Sequence, residues 1–439
     1  MGHGPATARA RPRSPHRWRT SVASPTPTPS GRTTRPAPGR RRTATRAAAA
    51  LLLCCAAVPA CASSPDHGSH PRKSAAPHHS GRAQSAAEKT EKAARARLLP
   101  GMPAPLDPHD LYAADRPNKL SRTVTGFPSR VYVPNTLSDT VSVIDPKTYK
   151  VVRTIQVGHQ PQHVVPSWDL KTLWVNNDLG NTLTPINPKT GRVGRPVDVH
   201  DPYNLYFTPD GKHAVVMASK DRALVFRDAH TMRVVKSVPV TCFGVNHADF
   251  SPDGRYFIVS CEFSGELLKV DTARMKVVGQ QRLPLAGAMP QDVKISPNGK
   301  TWYIADMVAN GVWVLNGDTF RRPRLLPTGK GAHGLYVSRD SRTLYISNRG
   351  EGTVSLLSFK SGRLTDRWRL PGGTSPDMGG VSSDGKVLWL SGRYNGEVYA
   401  IDTRTGRLRA RIPVGGGPHG LAVYPQPGRY SLGHTGIFR

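Results

Sequence analysis

The sequence predicts an all-β protein, a seven-bladed β-propeller with four-stranded blades, on three observations. Short runs rich in Val, Ile, Tyr and Trp recur at a steady period: those ending at Asn135, Asn177, Ser219, Cys261, Asp306, Asn348 and Gly392 are 42, 42, 42, 45, 42 and 44 residues apart. One turn recurs as DPKTYK from Asp145, NPKTGR from Asn187, DAHTMR from Asp228, DTARMK from Asp271, NGDTFR from Asn316 and DTRTGR from Asp402. A second recurs as TPDGK from Thr208, SPDGR from Ser251, SPNGK from Ser296, SRDSR from Ser338 and SSDGK from Ser382. Four strands in each period of about 40–45 residues mark a propeller blade, and seven copies make seven blades.

Residues 387–423 show the unit. VLWLS and EVYAID are β-branched and aromatic runs, which favour strands, with the turn signal RYNG between them. DTRTGR is an Asx-type turn leading into LRARIPV, and GGGP leads on to HGLAV. Such a unit has two apolar faces and needs a copy on each side. The first run, VYVPN from Val131, matches a blade's second strand counted from the channel, whereas the last, HGLAVY, matches an innermost strand. The C-terminal strand is therefore expected to complete the N-terminal blade, closing the ring and removing exposed sheet edges. The propeller domain is assigned to 127–439, with strands from about Arg130 to Tyr424. The tail PQPGRYSLGHTGIFR has no strand period and is expected to lie across one face.

The net charge of +31 is unevenly placed. Residues 1–61 hold eleven Lys or Arg and no acid, and Ala47–Ala60 is an apolar run of fourteen, too short to span a bilayer. A basic region, a short apolar region and small residues before Cys61 read as a signal peptide (1–61) with a lipobox-like end, Val58-Pro59-Ala60-Cys61, so that Cys61 becomes the lipidated mature terminus. Residues 62–126, rich in Ser, Ala, Pro, His and charge, read as a disordered tether. The expected location is the outer face of the cytoplasmic membrane or the cell surface, held by the lipid anchor.

VYVPNTLSDTVSVIDPKTYKVVRTIQVG, from Val131, resembles the repeat of the YVTN β-propeller family. The resemblance covers all seven copies. It implies the propeller fold, and it implies several functions: binding modules, surface proteins, redox-enzyme subunits, and lactonase or lyase relatives.

Chemistry is expected where the inner strands begin, around one mouth of the channel. One and two places after the Pro of Gly-x-x-Pro, or its equivalent, stand Gln162-His163, Tyr203-Asn204, Asn246-His247, Gln291-Asp292, His333-Gly334, Asp377-Met378 and His419-Gly420. Loops of the same face add Lys220, Arg222, Glu262, Asp306, Arg349, Glu351 and Arg393. The candidate ligand-binding set is His163, Asn204, Asn246, His247, Asp292, His333, Asp377, His419, Arg349 and Arg393, in a wet, mixed-charge funnel. Imidazole and carboxylate suit a divalent metal, with His163, His247, Asp292, His333 and His419 as candidate ligands. The bland alternative is that these groups only hydrogen-bond neighbouring loops. HExxH, CxxCH, Walker and Gly-x-Ser-x-Gly motifs are lacking, and no catalytic residue is assigned.

Cys242 and Cys261 are expected to pair, since the strand order puts both in neighbouring loops and export places them in an oxidising compartment. Two inert thiols, or a thiolate sharing a soft metal with His247, are the alternatives. The leading functional expectation is a monomeric binding or scaffold module for a protein, cell-wall polymer or small molecule. The second is a metal-assisted lactonase or lyase on the same face. Single-stranded nucleic acid ranks below both, because the basic residues of the propeller are spread rather than clustered with aromatics.

Overall fold

Each recurring turn reverses the chain between two β-branched runs, and the runs pair accordingly. The computed structural model describes residues 96–434 and 436–439, all within one compact unit. Seven four-stranded antiparallel sheets form the blades: blade 1 (130–156 with 422–424), blade 2 (161–198), blade 3 (204–239), blade 4 (245–282), blade 5 (290–327), blade 6 (332–369) and blade 7 (376–413). Ala422–Tyr424 pairs antiparallel with Arg130–Asn135, so the C-terminal strand is the innermost strand of blade 1. Six of the seven expected strand ends coincide with observed ends, and the strand at Ser219 stops one residue earlier, at Ala218.

Burial follows position within a blade. Inner strands such as Pro161–Pro166 and Val245–Phe250 are buried throughout, because neighbouring blades cover both faces. Outer strands such as Lys276–Arg282 alternate exposed and half-buried residues, because one edge and one face meet solvent. The turn chemistry repeats as well. Backbone N–H groups donate to the carboxylates of Asp145 and Asp402 and to the amide oxygen of Asn187 at 2.8–3.0 Å. In the second turn the Ser251 and Ser382 hydroxyls donate to Asp253 and Asp384 at 2.6 Å. At the opposite end, Asn135 and Asn177 donate to paired hydroxyls on the next strand. A Cβ at Gly415 or Gly158 would come within 2.7 Å of those side chains, which is why glycine follows the outer strand there.

One expectation fails and a second holds only in part. Residues 96–126 are not a disordered tether. They cross the turn end of the blades: Leu99 N–H donates to Asp253 O, Leu111 N–H to Pro297 O and Asn118 N–H to Ser383 O. Leu99, Leu111, Tyr112 and Val124 are buried, and Ala113–Asp115 forms a short 3-10 helix. A few widely spaced anchors suffice when the propeller supplies the rest of the core. The tail begins across that same end, where Gly428 N–H donates to Lys119 O and Arg429 to Ala104 O, but it does not stay there. It enters the channel and pairs with the free edge of blade 3's short inner strand, Asn204–Phe207: Phe207 N–H donates to Leu432 O at 2.9 Å and His434 N–H to Leu205 O at 3.0 Å. Leu432, Ile437 and Phe438 are buried. The basic leader, the apolar run, Cys61 and the tether before residue 96 lie outside the described residues. No helix among the described residues is long and apolar enough to cross a membrane.

A buried histidine centre as candidate functional site

The expected ring residues stand one place (His333, Asp377, His419) or two places (His163, His247, Asp292) after the start of the inner strand, and this spacing has a structural cause. In blades 2, 4, 5, 6 and 7 the register between inner and second strands shifts over Pro161–His163, Val245–Ala248, Pro290–Val293, Ala332–Leu335 and Pro376–Gly379. Such irregularities re-aim side chains and interrupt pairing. The structure brings together His163, His247, His333 and His419, with ring centroids 4.9 Å apart for His163–His419, 5.6 Å for His163–His247, 5.8 Å for His333–His419 and 6.3 Å for His247–His333. A fifth imidazole, His434 of the tail, sits 4.7 Å from His247 and 5.2 Å from His163. Sequence reasoning missed it because the tail carries no repeat. The available signal was a histidine in a glycine-flanked turn between apolar residues (Leu432, Ile437, Phe438).

The centre is not a wet funnel. The five histidines, Asp292 and Asp377 are 0–2% exposed. Tyr203 covers His163, with ring centroids 5.5 Å apart, and Arg349 lies over Asp377. Polar side chains at the start of an inner strand sit below the loops rather than among them.

Asp377 organises one side. Its carboxylate accepts from His419 Nδ1 at 2.8 Å and Arg349 Nη1 at 3.1 Å, and lies 3.0 Å from His333 Nδ1. Burial pushes this carboxyl up, but His333, Arg349 and Arg393 outweigh burial and hold it below the usual range. His333 is itself pushed down, so the arginines are the charged partners. Burial pushes His163 down to about 4, and His247, His419 and His434 well below the imidazole range. At neutral pH each ring therefore holds one N–H and one lone pair. His163 Nδ1–H donates to the Tyr203 carbonyl at 2.9 Å. The Asn204 amide nitrogen lies 3.2 Å from His247 Nδ1 and 3.0 Å from His434 Nδ1. Burial raises Asp292 to about 6 although it accepts N–H bonds from Val293 and Leu335.

Other expected residues serve the loops. Asn246 donates to Glu262 at 2.7 Å, and Arg393 donates to Thr136 and to the Gly417 carbonyl, clamping blade 7 to blade 1. Lys220 lies 3.5 Å from both Asp178 and Asp201, and Arg222 stacks on Phe243. Asp306 caps its own loop and accepts from Trp313, while Glu351 accepts from Lys330 N–H and Thr353. Cys242 and Cys261 are disulfide-bonded with Cα atoms 6.0 Å apart, at the foot of the loop that leads to Asn246 and His247.

Fold and centre together define a closed seven-bladed propeller of the repeat class, with a histidine-rich channel. The chain belongs to the YNCE-like β-propeller family, whose model matches residues 111–427. No curated protein matches it. Among solved structures it is similar to hydrazine synthase of Kuenenia stuttgartiensis, at 20% identity and TM-score 0.55, covering 65% of this chain and 99% of that one. It is similar to a functionally unknown protein of Desulfotomaculum acetoxidans, at 16% identity and TM-score 0.58, covering 67% and 98%. It is also similar to the dihydro-heme d1 dehydrogenase NirN in complex with DHE, at 18% identity and TM-score 0.50, covering 73% and 68%. At these identities the likeness is one of fold.

Proposed function

We propose that this protein is an exported, lipid-anchored, non-catalytic module that docks a protein partner on the loop face above the histidine centre. One observation carries the reading. Of thirteen exposed large apolar side chains among the described residues, seven, Leu137, Leu179, Phe243, Phe263, Leu285, Val308 and Tyr394, stand on loops of that single end, including all the exposed aromatics; four of the rest, Val152, Val234, Val235 and Val278, are spread along outer strands. Leu137, Phe263 and Tyr394 are 79%, 64% and 70% exposed. Apolar and aromatic side chains grouped on one face of a soluble domain mark interaction surfaces. Burial of the histidines favours this reading over a lactonase or lyase, since a substrate atom would have to reach side chains without solvent access. Lys220, Arg222 and Arg349 are engaged by carboxylates or an aromatic ring, which favours a protein over a phosphate backbone. The leader and Cys61 support export and anchoring.

The test is site-specific photo-crosslinking in the native host. Probes at Leu137, Phe263 and Tyr394 should give one discrete adduct, and probes at Arg255, Lys300 and Lys386 on the turn end should give none. Adducts from the turn end alone would overturn the proposal.

A further inference from the structure

Three imidazoles meet where the tail reaches the ring. One ring nitrogen from each of His163, His247 and His434 lies within 4.8 Å of one from each of the others. All three residues are buried, and Nε2 of each has no hydrogen-bond partner. Buried polar atoms are nearly always paired, so three unpaired nitrogens in one place call for a partner that packing does not supply. The Asn204 amide, its oxygen held by Leu205 N–H, donates toward Nδ1 of His247 and His434, which leaves their ring protons on Nε2 in the metal-free centre; a metal there requires both rings to change tautomer and Asn204 to turn away. His163 is already set up as a ligand. Its Nδ1–H is held by the Tyr203 carbonyl, which leaves the lone pair on Nε2, the arrangement that orients metal-bound histidines. Asp292 Oδ1 lies 3.6 Å from His434 Nε2 and brings a carboxylate beside the cluster.

We propose that His163, His247 and His434 form a binding site for a d-block metal ion that prefers imidazole nitrogen, zinc or copper, and that the ion fastens the C-terminal tail to blades 2 and 4. Calcium and magnesium are disfavoured by the donor set, since both take oxygen ligands. Three neutral imidazoles match the ligand count of open tetrahedral zinc sites. His434 arrives on the tail turn, so the site exists only when the tail is docked. Metal binding and tail docking therefore strengthen each other by mass action. The disulfide takes Cys242 and Cys261 out of contention as ligands.

The proposal goes beyond the docking reading and does not depend on it. The full chain is stripped with a chelator and titrated with cobalt(II) and zinc(II). The sixteen histidines make adventitious binding certain, so the readout is a difference between variants. Wild type should take one tight equivalent of cobalt(II), with visible d–d bands of a low-coordinate nitrogen site, and should protect Arg429 from trypsin when loaded. His163→Ala, His247→Ala and His434→Ala should each lose that equivalent, with affinity falling by about 100-fold or more. His200→Ala, an exposed residue paired with Asp221, should keep it. If the inner-strand variants fail to fold, His434→Gln decides. Equal binding by wild type and His434→Gln, or no tight equivalent in wild type, overturns the site. Loss of metal binding with the loop-face crosslinks intact would leave the docking reading standing, and the converse would leave this one.

Discussion

The side-chain nitrogen of Asn204 lies 3.0 Å from Nδ1 of His434, although 230 residues separate them in the chain. The same nitrogen lies 3.2 Å from Nδ1 of His247. One amide thus touches a ring histidine and the tail histidine, which makes the tail part of the channel interior.

Tail docking should therefore contribute heavily to stability. Phe438 is buried with Val124, Tyr132, Val164 and Tyr424. Phe438→Ala should cost about 3–5 kcal/mol, the usual range for a buried Phe truncated to Ala. Urea unfolding measures it, and a change within a few tenths would mean that the tail is not docked in solution.

Reducing the Cys242–Cys261 bridge should cost about 3 kcal/mol, as the chain-entropy model gives for a loop of this length. Cys242→Ser with Cys261→Ser should show the same loss and no further response to reductant. Thiol titration of the unfolded, unreduced chain should find neither cysteine reactive.

Arg349 and Arg393 are the charges that let Asp377 stay ionised out of water, and Arg349 is the one bonded to it. Arg349→Met should destabilise by about 3 kcal/mol, because it takes the bonded charge from a buried carboxylate. Adding Asp377→Asn should recover a large part of that loss. Additive single effects in the double-mutant cycle would rule out the coupling.

Burial pushes the Asp115 carboxyl up to about 7, against the opposing charges of Arg339 and Arg439. The fold therefore prefers the protonated form. That contribution is fully present below the unfolded pKa near 4 and is lost as pH rises through about 7. Asp115→Asn cannot ionise, so its melting temperature should gain on that of wild type between pH 4 and pH 8. A constant difference across that window would show that Asp115 does not titrate there.

Cys61→Ser should remove the proposed anchor. Fractionation should find the variant in the medium or retained as an uncleaved precursor. Unchanged membrane association with normal processing would require another anchor.

The sequence by itself determined the blade count, the ring closure and the circle of inner-strand side chains. These are legible because a propeller is built by nearest neighbours. Each copy carries its own turns, so the strand entry that puts His163 two places after Pro161 also puts Asp292 two places after Pro290. The Cys242–Cys261 juxtaposition follows from the same strand order. Only the tertiary structure decided what lies outside the repeat. Leu99, Tyr112 and Val124 are too sparse to announce a folded segment, and they gain their burial from slots that the finished propeller presents. His434 reaches the ring because the short inner strand of blade 3 leaves an edge for the tail to pair with, and Leu432, Ile437 and Phe438 have no other place to bury. The depth of the histidines was likewise hidden, since spacing locates a side chain along its strand but not what other parts of the chain fold over it.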